Sequence, residues 1–311
     1  MGAVRVLITG GAGFIGSNLA RAALIDGHQV AVLDDLSTGY AANLAGLDVR
    51  FHQGSVNDAD VLDDALTGVD SVVHLAALGS VPRSILDPVA THHANATGTL
   101  RVLEGARRAG VGHVLMSSSS SVYGLNPALP KGEREWVRPL SPYAVSKLAG
   151  EQYLLAYQQS FGLETLAFRF FNVYGPRQMP GHAYAAVVPV FLDALLRGVP
   201  LPVHGDGLQS RDFTYVGTVC AVLLDAVIRR VTHPEPVNLA FGTNTTIADL
   251  VHELEEVSGL PAEVAHEPAR AGDVRASQAD NRVLMSLFPL VKPVSLRDGL
   301  IETLAWFKER A

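Results

Sequence analysis

Residues 4–16 read VRVLITGGAGFIG, an aliphatic β-rich run that stops at Gly10, Gly13 and Gly16 and passes directly into the helix-like FIGSNLARAALI. A strand that turns this tightly into a helix leaves the helix's first N–H groups unpaired at the turn. Glycines there let an anionic group such as a pyrophosphate come close to the backbone. Three glycines alone are a weak signal, but Asp34 ends the next β-rich run, QVAVLD at 29–34. A carboxylate about twenty residues past such a turn can accept hydrogen bonds from adenosine ribose hydroxyls and repel a 2′-phosphate. Asp35 adds to that repulsion, so NAD is favoured over NADP.

The rest of the chain repeats the alternation. Further β-rich runs lie at 49–53, 71–76 and 113–117, the second and third strands read as nearly continuous in apolar content, and helical patterns lie near 14–26, 58–67 and 88–109. Asp87-Pro88 suits the start of the last of these. A helix near 141–160 and a strand near 165–171 continue the pattern. Repeated strand–helix units predict a doubly wound parallel sheet with helices on both faces. After Phe171 the texture changes to proline- and glycine-rich loops around helices near 187–197 and 216–230. The expected division is a nucleotide-binding domain of 1–171 with 213–238, and a smaller α/β lobe of 172–212 with 239–311.

The chain has 311 residues, 48% hydrophobic and 18% charged, enough for a large core. Its 24 basic and 31 acidic residues give a net charge of −7 with no basic run, so no nucleic-acid partner is expected. Cys220 is the single cysteine, which excludes an internal disulfide and suits a reducing cytoplasm. No apolar run has the length of a membrane span, and no secretory leader is visible, so a soluble cytoplasmic protein is expected. His74, His92, His93 and His182 lack metal-ligand spacing with acids or cysteine, and no metal is expected.

Two stretches carry candidate chemistry. SPYAVSK at 141–147 places Tyr143 and Lys147 four apart at a helix start, on one face, so that the ammonium can approach the phenol. A phenol of pKa near 10 is about 0.1% ionised at neutral pH, and bringing it to about 7 takes roughly 4 kcal/mol. A solvated lysine about 4 Å away contributes only about 1 kcal/mol, rising to about 4 at an effective dielectric near 20. An enclosed site would therefore be needed for Tyr143 to act as a base. The second stretch is SSSSSVYG at 117–124, which leaves the fifth strand at the carboxyl edge of the sheet, where open α/β sheets bind ligands.

TGGAGFIG, the VYG after a serine run, and YAVSK together resemble the extended short-chain dehydrogenase/reductase family, and within it the nucleotide-sugar epimerases. AALGSVPRSILDP at 76–88, FNVYGPRQ at 171–178, AYAAVVP at 183–189, GDGLQSRDF at 205–213 and RAGDVRAS at 270–277 extend the resemblance over nearly the whole chain, toward UDP-N-acetylglucosamine 4-epimerases. The resemblance implies a Rossmann domain with a C-terminal substrate lobe and a catalytic Ser119, Tyr143 and Lys147. The NAD contacts it implies are Gly10, Gly13, Phe14, Ile15, Gly16, Asp34, Leu36, Ser37, Thr38, Gly39, Ser55, Val56, Leu75, Ala76, Ala77, Asn95, Tyr143, Lys147 and Phe170. The substrate contacts it implies are Val81, Arg83, Ser119, Ser121, Tyr143, Asn172, Ala186, Val187, Val203, His204, Arg211, Arg270, Asp273 and Ser277. It further implies a homodimer through the helices near 88–109 and 141–160.

Within this family, 4,6-dehydratases carry Asp-Glu after the catalytic hydroxyl, and UDP-glucuronate decarboxylases carry glutamate two residues before the same tyrosine. Here those positions are Ser120 and Ser121. The resemblance therefore implies epimerisation at C4 of a UDP-hexose, through a transient 4-keto sugar, in place of elimination or decarboxylation. A small residue at Ser277 implies room for an N-acetyl group beside glucose and galactose. Ser55, Gly79 and Ser277 depart from the best-known glucose epimerases. The alternatives are a UDP-glucuronate 4-epimerase, for which Arg83 or Arg177 would have to meet the carboxylate, a net NAD-dependent oxidoreductase, and an idle NAD-sensing protein.

Overall fold

The structure, a computed structural model, describes residues 2–181, 186–268 and 275–310. Seven parallel strands form the main sheet: β1 (Arg5–Thr9), β2 (Gln29–Asp34), β3 (Val49–Gln53), β4 (Ser71–His74), β5 (His113–Ser119), β6 (Glu164–Phe170) and a seventh at Val237–Leu239. Across the sheet the order is seventh, β6, β5, β4, β1, β2, β3. The chain thus builds outward from β1 to β3, then crosses back to lay β4 on the other side of β1, and Val6 pairs with Val30 on one side and Ser71 on the other. Where neighbouring connections leave in opposite directions, a crevice opens at the carboxyl ends of the strands.

Among the described residues this part is accompanied by the helix Val216–Arg229 and by α1 (Phe14–Ile25), α2 (Ala59–Ala65), α3 (Val81–Leu86), α4 (Pro88–His92), α5 (Gly98–Ala109) and α6 (Pro142–Phe161). Alternation along β1 shows how both faces are covered. Val6 and Ile8 pack in a core with Leu19 and Ala23 of α1 and with Val219 and Leu223 of the helix Val216–Arg229. Leu7, between them, packs in a separate core with Leu62, Val102, Leu103 and Leu154 of α2, α5 and α6. Because successive strand side chains point to opposite faces, this sheet is apolar on both. Outside the main sheet lie three two-stranded pairs: Asn172–Tyr174 with Phe213–Tyr215, Ser210–Arg211 with Thr245–Thr246, and Leu201–His204 with Val264–Glu267. Buried Asp212 joins them by accepting from Gly242 N, Thr243 Oγ1 and Ala279 N. Among the described residues no helix is long and apolar enough to cross a membrane.

Three expectations need correction. β3 is an edge strand with Arg50, Phe51 and Gln53 exposed, because it has a neighbour only in β2. The helix expected over 88–109 is continuous, but residues 93–97 are wound as a π-helix between α4 and α5. Such segments occur often beside functional sites. Residues 81–86, for which the sequence predicts no helix, form α3, capped by the Ser80 hydroxyl and with Pro82 in its first turn.

Candidate active site

A cavity of about 850 Å³ opens at the carboxyl edge of the sheet, walled by residues that follow six of its strands. After β1 these are Gly10, Gly13, Phe14, Ile15 and Gly16; after β2, Asp34, Asp35, Ser37 and Thr38; after β3, Ser55 and Val56. The stretch following β4 supplies Leu75, Ala76 and Ala77, β5 ends on Ser119, and beyond β6 come Phe170 and Asn172. Tyr143, Lys147 and Ala186 also line it.

The glycine turn is shaped for close approach. At Gly10, with φ +71°, a Cβ would sit 2.7 Å from Ala76 N and 2.8 Å from its Cα. Asp34 is buried, its Oδ2 accepting from Ala12 N at 2.9 Å and its Oδ1 from Leu36 N at 2.8 Å. Burial pushes its carboxyl up, and these two N–H groups pull it back. Each oxygen retains a second lone pair, which is what a ribose diol requires. The glycine turn, the helix N-terminus and the oriented acid together fit an adenine dinucleotide.

The serine run meets α6 in register. Tyr143, Lys147 and Glu151 are spaced four apart and share one face of that helix. Ser141 caps it by accepting from Ala144 N, and Pro142 occupies its first turn, so Tyr143 is held at a fixed helix start. Lys147 Nζ donates to Ser117 O at 3.0 Å, and Ser118 Oγ donates to Glu151 Oε2 at 2.6 Å. Burial raises the Tyr143 phenol above its ordinary value, and a hydrogen bond with Ser119 pulls it down again. Lys147 commits one of its three protons to Ser117 O, and the groups acting on the Tyr143 phenol in this structure are burial and Ser119. Burial lowers Lys147 itself to about 8, which leaves it mostly protonated at neutral pH.

The sequence profile of the NAD-dependent epimerase/dehydratase family matches residues 6–240. The chain belongs to this family. It is 39% identical to the UDP-glucose 4-epimerase of Mycolicibacterium smegmatis, over 99% of this chain and all of that protein. It is 33% identical to the dTDP-glucose 4,6-dehydratase of Streptomyces niveus, over 98% of this chain and 93% of that one. Among solved structures, the UDP-N-acetylglucosamine 4-epimerase of Methanobrevibacter ruminantium, in complex with UDP-N-acetylmuramic acid, superposes with a TM-score of 0.94 at 36% identity, over the whole of both chains. As a member of this family the protein uses NAD, and the cavity above is where the chain can hold it.

Several residues expected to touch cofactor or substrate in an epimerase/dehydratase do not line the cavity. Leu36, at φ +60°, and Gly39, whose Cβ would lie 2.9 Å from Asp34 Oδ1, act on Asp34. Asn95, on the π segment, is used up within the protein: Oδ1 accepts from Leu78 N, and Nδ2 donates to Leu78 O and Ser146 Oγ. It ties the loop after β4 to α6. Val203 belongs to the hydrophobic core. His204 stands 3.3 Å from Glu267, buried Arg211 donates to Ser210 O, and buried Ser277 donates its N–H to Ser210 O. Val81 and Arg83 lie on α3, Val187 starts the helix Val187–Leu196, and Ser121 reaches the cavity only through Ser119. Arg270, Asp273 and His182 lie outside the described residues.

The site also contains residues the sequence reading missed. Ser117 holds Lys147. Gln178, at the end of FNVYGPRQ, lines the cavity with Nε2 on Val173 O, while its buried Oε1 has no partner in the protein. His74 is a buried link whose imidazole burial keeps neutral, at about 3. Thr99 Oγ1 donates to Asn95 O, so it accepts from His74 Nε2, and His74 Nδ1 accepts from Thr9 Oγ1. This chain runs from β1 to the π segment beneath the cavity floor.

Proposed function

We propose that this protein is a NAD-dependent UDP-hexose 4-epimerase acting on UDP-glucose/UDP-galactose and on UDP-N-acetylglucosamine/UDP-N-acetylgalactosamine. The observation that carries the reading is the meeting of Ser119 with Tyr143 at the cavity, with hydroxyls instead of carboxyls at Ser120 and Ser121. Tyr143 takes the proton of the C4 hydroxyl, Ser119 donates to the phenol oxygen, and Lys147, charged at neutral pH, holds the cofactor ribose. NAD, when bound, accepts the C4 hydrogen with its electron pair and returns it, so the net redox change is zero. The positive charge that NAD would bring to this cavity would offset the burial that raises Tyr143. UDP stays anchored by Arg211 and Arg270 while the 4-keto sugar turns to present its other face.

Elimination of water needs a further acid and base near the sugar, and this chain's serines supply neither. The protein incubated separately with UDP-glucose, UDP-N-acetylglucosamine and UDP-glucuronate should convert the first two to their C4 epimers. Conversion of UDP-glucuronate alone would favour the glucuronate reading, and conversion of none would overturn the proposal.

In this reading the resemblance assigns substrate breadth to Ser277, which is buried and is not itself part of the cavity lining. A Ser277→Tyr variant is expected to keep UDP-glucose turnover within a few-fold and to lose UDP-N-acetylglucosamine turnover by at least about tenfold, since overfilling a packed site costs about 1–3 kcal/mol. Equal turnover of both sugars would remove Ser277 from the pocket.

The proposed domain division rests on the seventh strand, which joins the sheet beside β6, and on the helix Val216–Arg229, which shares a core with α1. A homodimer is supported by apolar residues left exposed on α3, α4 and α6, namely Ile85, Leu86, Val89, Val145 and Tyr153.

A further inference from the structure

We propose that Ser121 is a positioning residue whose hydroxyl fixes the direction of the Ser119 proton toward Tyr143, an inference that rests on Tyr143 being the proton acceptor. Ser119 Oγ receives two hydrogen bonds from the same residue, one from Ser121 N at 3.2 Å and one from Ser121 Oγ at 2.9 Å. A serine oxygen has two lone pairs and a single proton. With both lone pairs committed, the Ser119 proton is what remains for Tyr143, which lines the same cavity and whose phenol Ser119 pulls down. The bonds therefore run in one direction, from the Ser121 hydroxyl to the Ser119 hydroxyl to the phenol oxygen, and each donor in such a chain strengthens the next.

The backbone holds this arrangement in place. Ser119 ends β5 and caps the single turn Ser120–Tyr123, so Ser121 N and Ser121 Oγ approach the same oxygen from a turn fixed at its far end by buried Tyr123, which donates to Asn238 of the seventh strand. The titratable groups packed around the pair are Lys147 and Glu151 of α6, His74 of β4 and Arg169 of β6. His74 stays neutral, Glu151 and Arg169 are paired with each other, and Lys147 is held by Ser117. None of these directs the Ser119 proton. Without the Ser121 hydroxyl the Ser119 rotor is free to turn, and the phenolate loses part of its stabilisation.

The test uses NAD-loaded wild type, Ser121→Ala and Ser121→Thr. Tyr143 ionisation is followed by tyrosinate absorbance, with Tyr143→Phe subtracted, and kcat and KM are measured across pH. In Ser121→Ala the ionisation midpoint should rise by about half a pH unit, and kcat on the acid side should fall about three-fold with KM little changed. The sign follows from the base acting when deprotonated. Ser121→Thr, which keeps the hydroxyl, should restore both. An unmoved midpoint in Ser121→Ala, an equal shift in Ser121→Thr, or a change confined to KM would each overturn the role. Wild type without epimerase turnover would sink the functional reading alone, because the tyrosinate titration would still decide Ser121.

Discussion

Replacing Tyr143 by phenylalanine is expected to lower epimerisation about a thousandfold while leaving the fold and NAD retention intact. A positioned acid–base group contributes about 10²–10⁴ to a rate, and no neighbour can stand in for this one. Ser119 has its lone pairs occupied by Ser121, Lys147 is protonated at neutral pH, and His74 is bonded at both nitrogens. The phenol removed is partly accessible at the cavity, so little packing is lost. Measuring kcat for each sugar, beside the amount of NAD that co-purifies, checks both halves. Full activity in the variant would remove Tyr143 from the chemistry.

The largest stability effect is expected one helical turn beyond Lys147. Glu151 is fully buried and Arg169 nearly so; Arg169 Nη2 meets Glu151 Oε1 at 2.7 Å, and Nε meets Oε2 at 3.0 Å. Ser118 donates to the same carboxylate, Arg169 also donates to Glu133 O, and its guanidinium lies 4.8 Å from the Tyr123 ring centroid. Glu151→Ala leaves the buried Arg169 charge without the carboxylate that neutralises it, which costs about 3–5 kcal/mol. Urea unfolding reads this directly, and a loss below about 1 kcal/mol would contradict the account. Replacing Glu151 and Arg169 together by methionine should recover much of the loss, because no buried charge is then left alone. This pair also fixes Ser118, and through it the end of β5 that carries Ser119.

The sequence was most informative where hydrophobic period and helix-start chemistry agreed. β2 and β3 fall where their runs fall, and α6 begins at Ser141-Pro142 because the hydroxyl caps it and the proline suits its first turn. The reading of β3 as nearly continuous in apolar content passed over Arg50, His52 and Gln53, which are polar in the sequence itself. The π segment at 93–97 has no compositional signature, since it is a shift in backbone hydrogen bonding, yet it places Asn95 where it can clamp Leu78. α3 did carry a signal, Ser80 followed by Pro82, but at six residues it is too short to show a period.

In the serine run, five like residues separate into distinct tasks only once α6 lies against β5: Ser117 takes Lys147, Ser118 takes Glu151, and Ser119 takes Tyr143. The resemblance identified Ser119, Tyr143 and Lys147 but not Ser117 or Ser118. Leu36 N–H donates to Asp34, and a Cβ at Gly39 would lie 2.9 Å from its Oδ1, so both positions also shape the acid. The tyrosine of VYG turned out to be core, joined to Asn238, and Gly124 after it sits where a Cβ would lie 1.9 Å from Arg138 O.

The most direct test of the central claim follows one atom. A UDP-hexose carrying deuterium at C4 is incubated with the NAD-loaded protein, and both epimers are examined. The account predicts that the label remains at C4 in substrate and product alike, with no NADH accumulating, because the hydrogen removed from one face is returned to the other. Label appearing at C6 of a deoxy sugar, or lost from the sugar as NADH builds up, would contradict it.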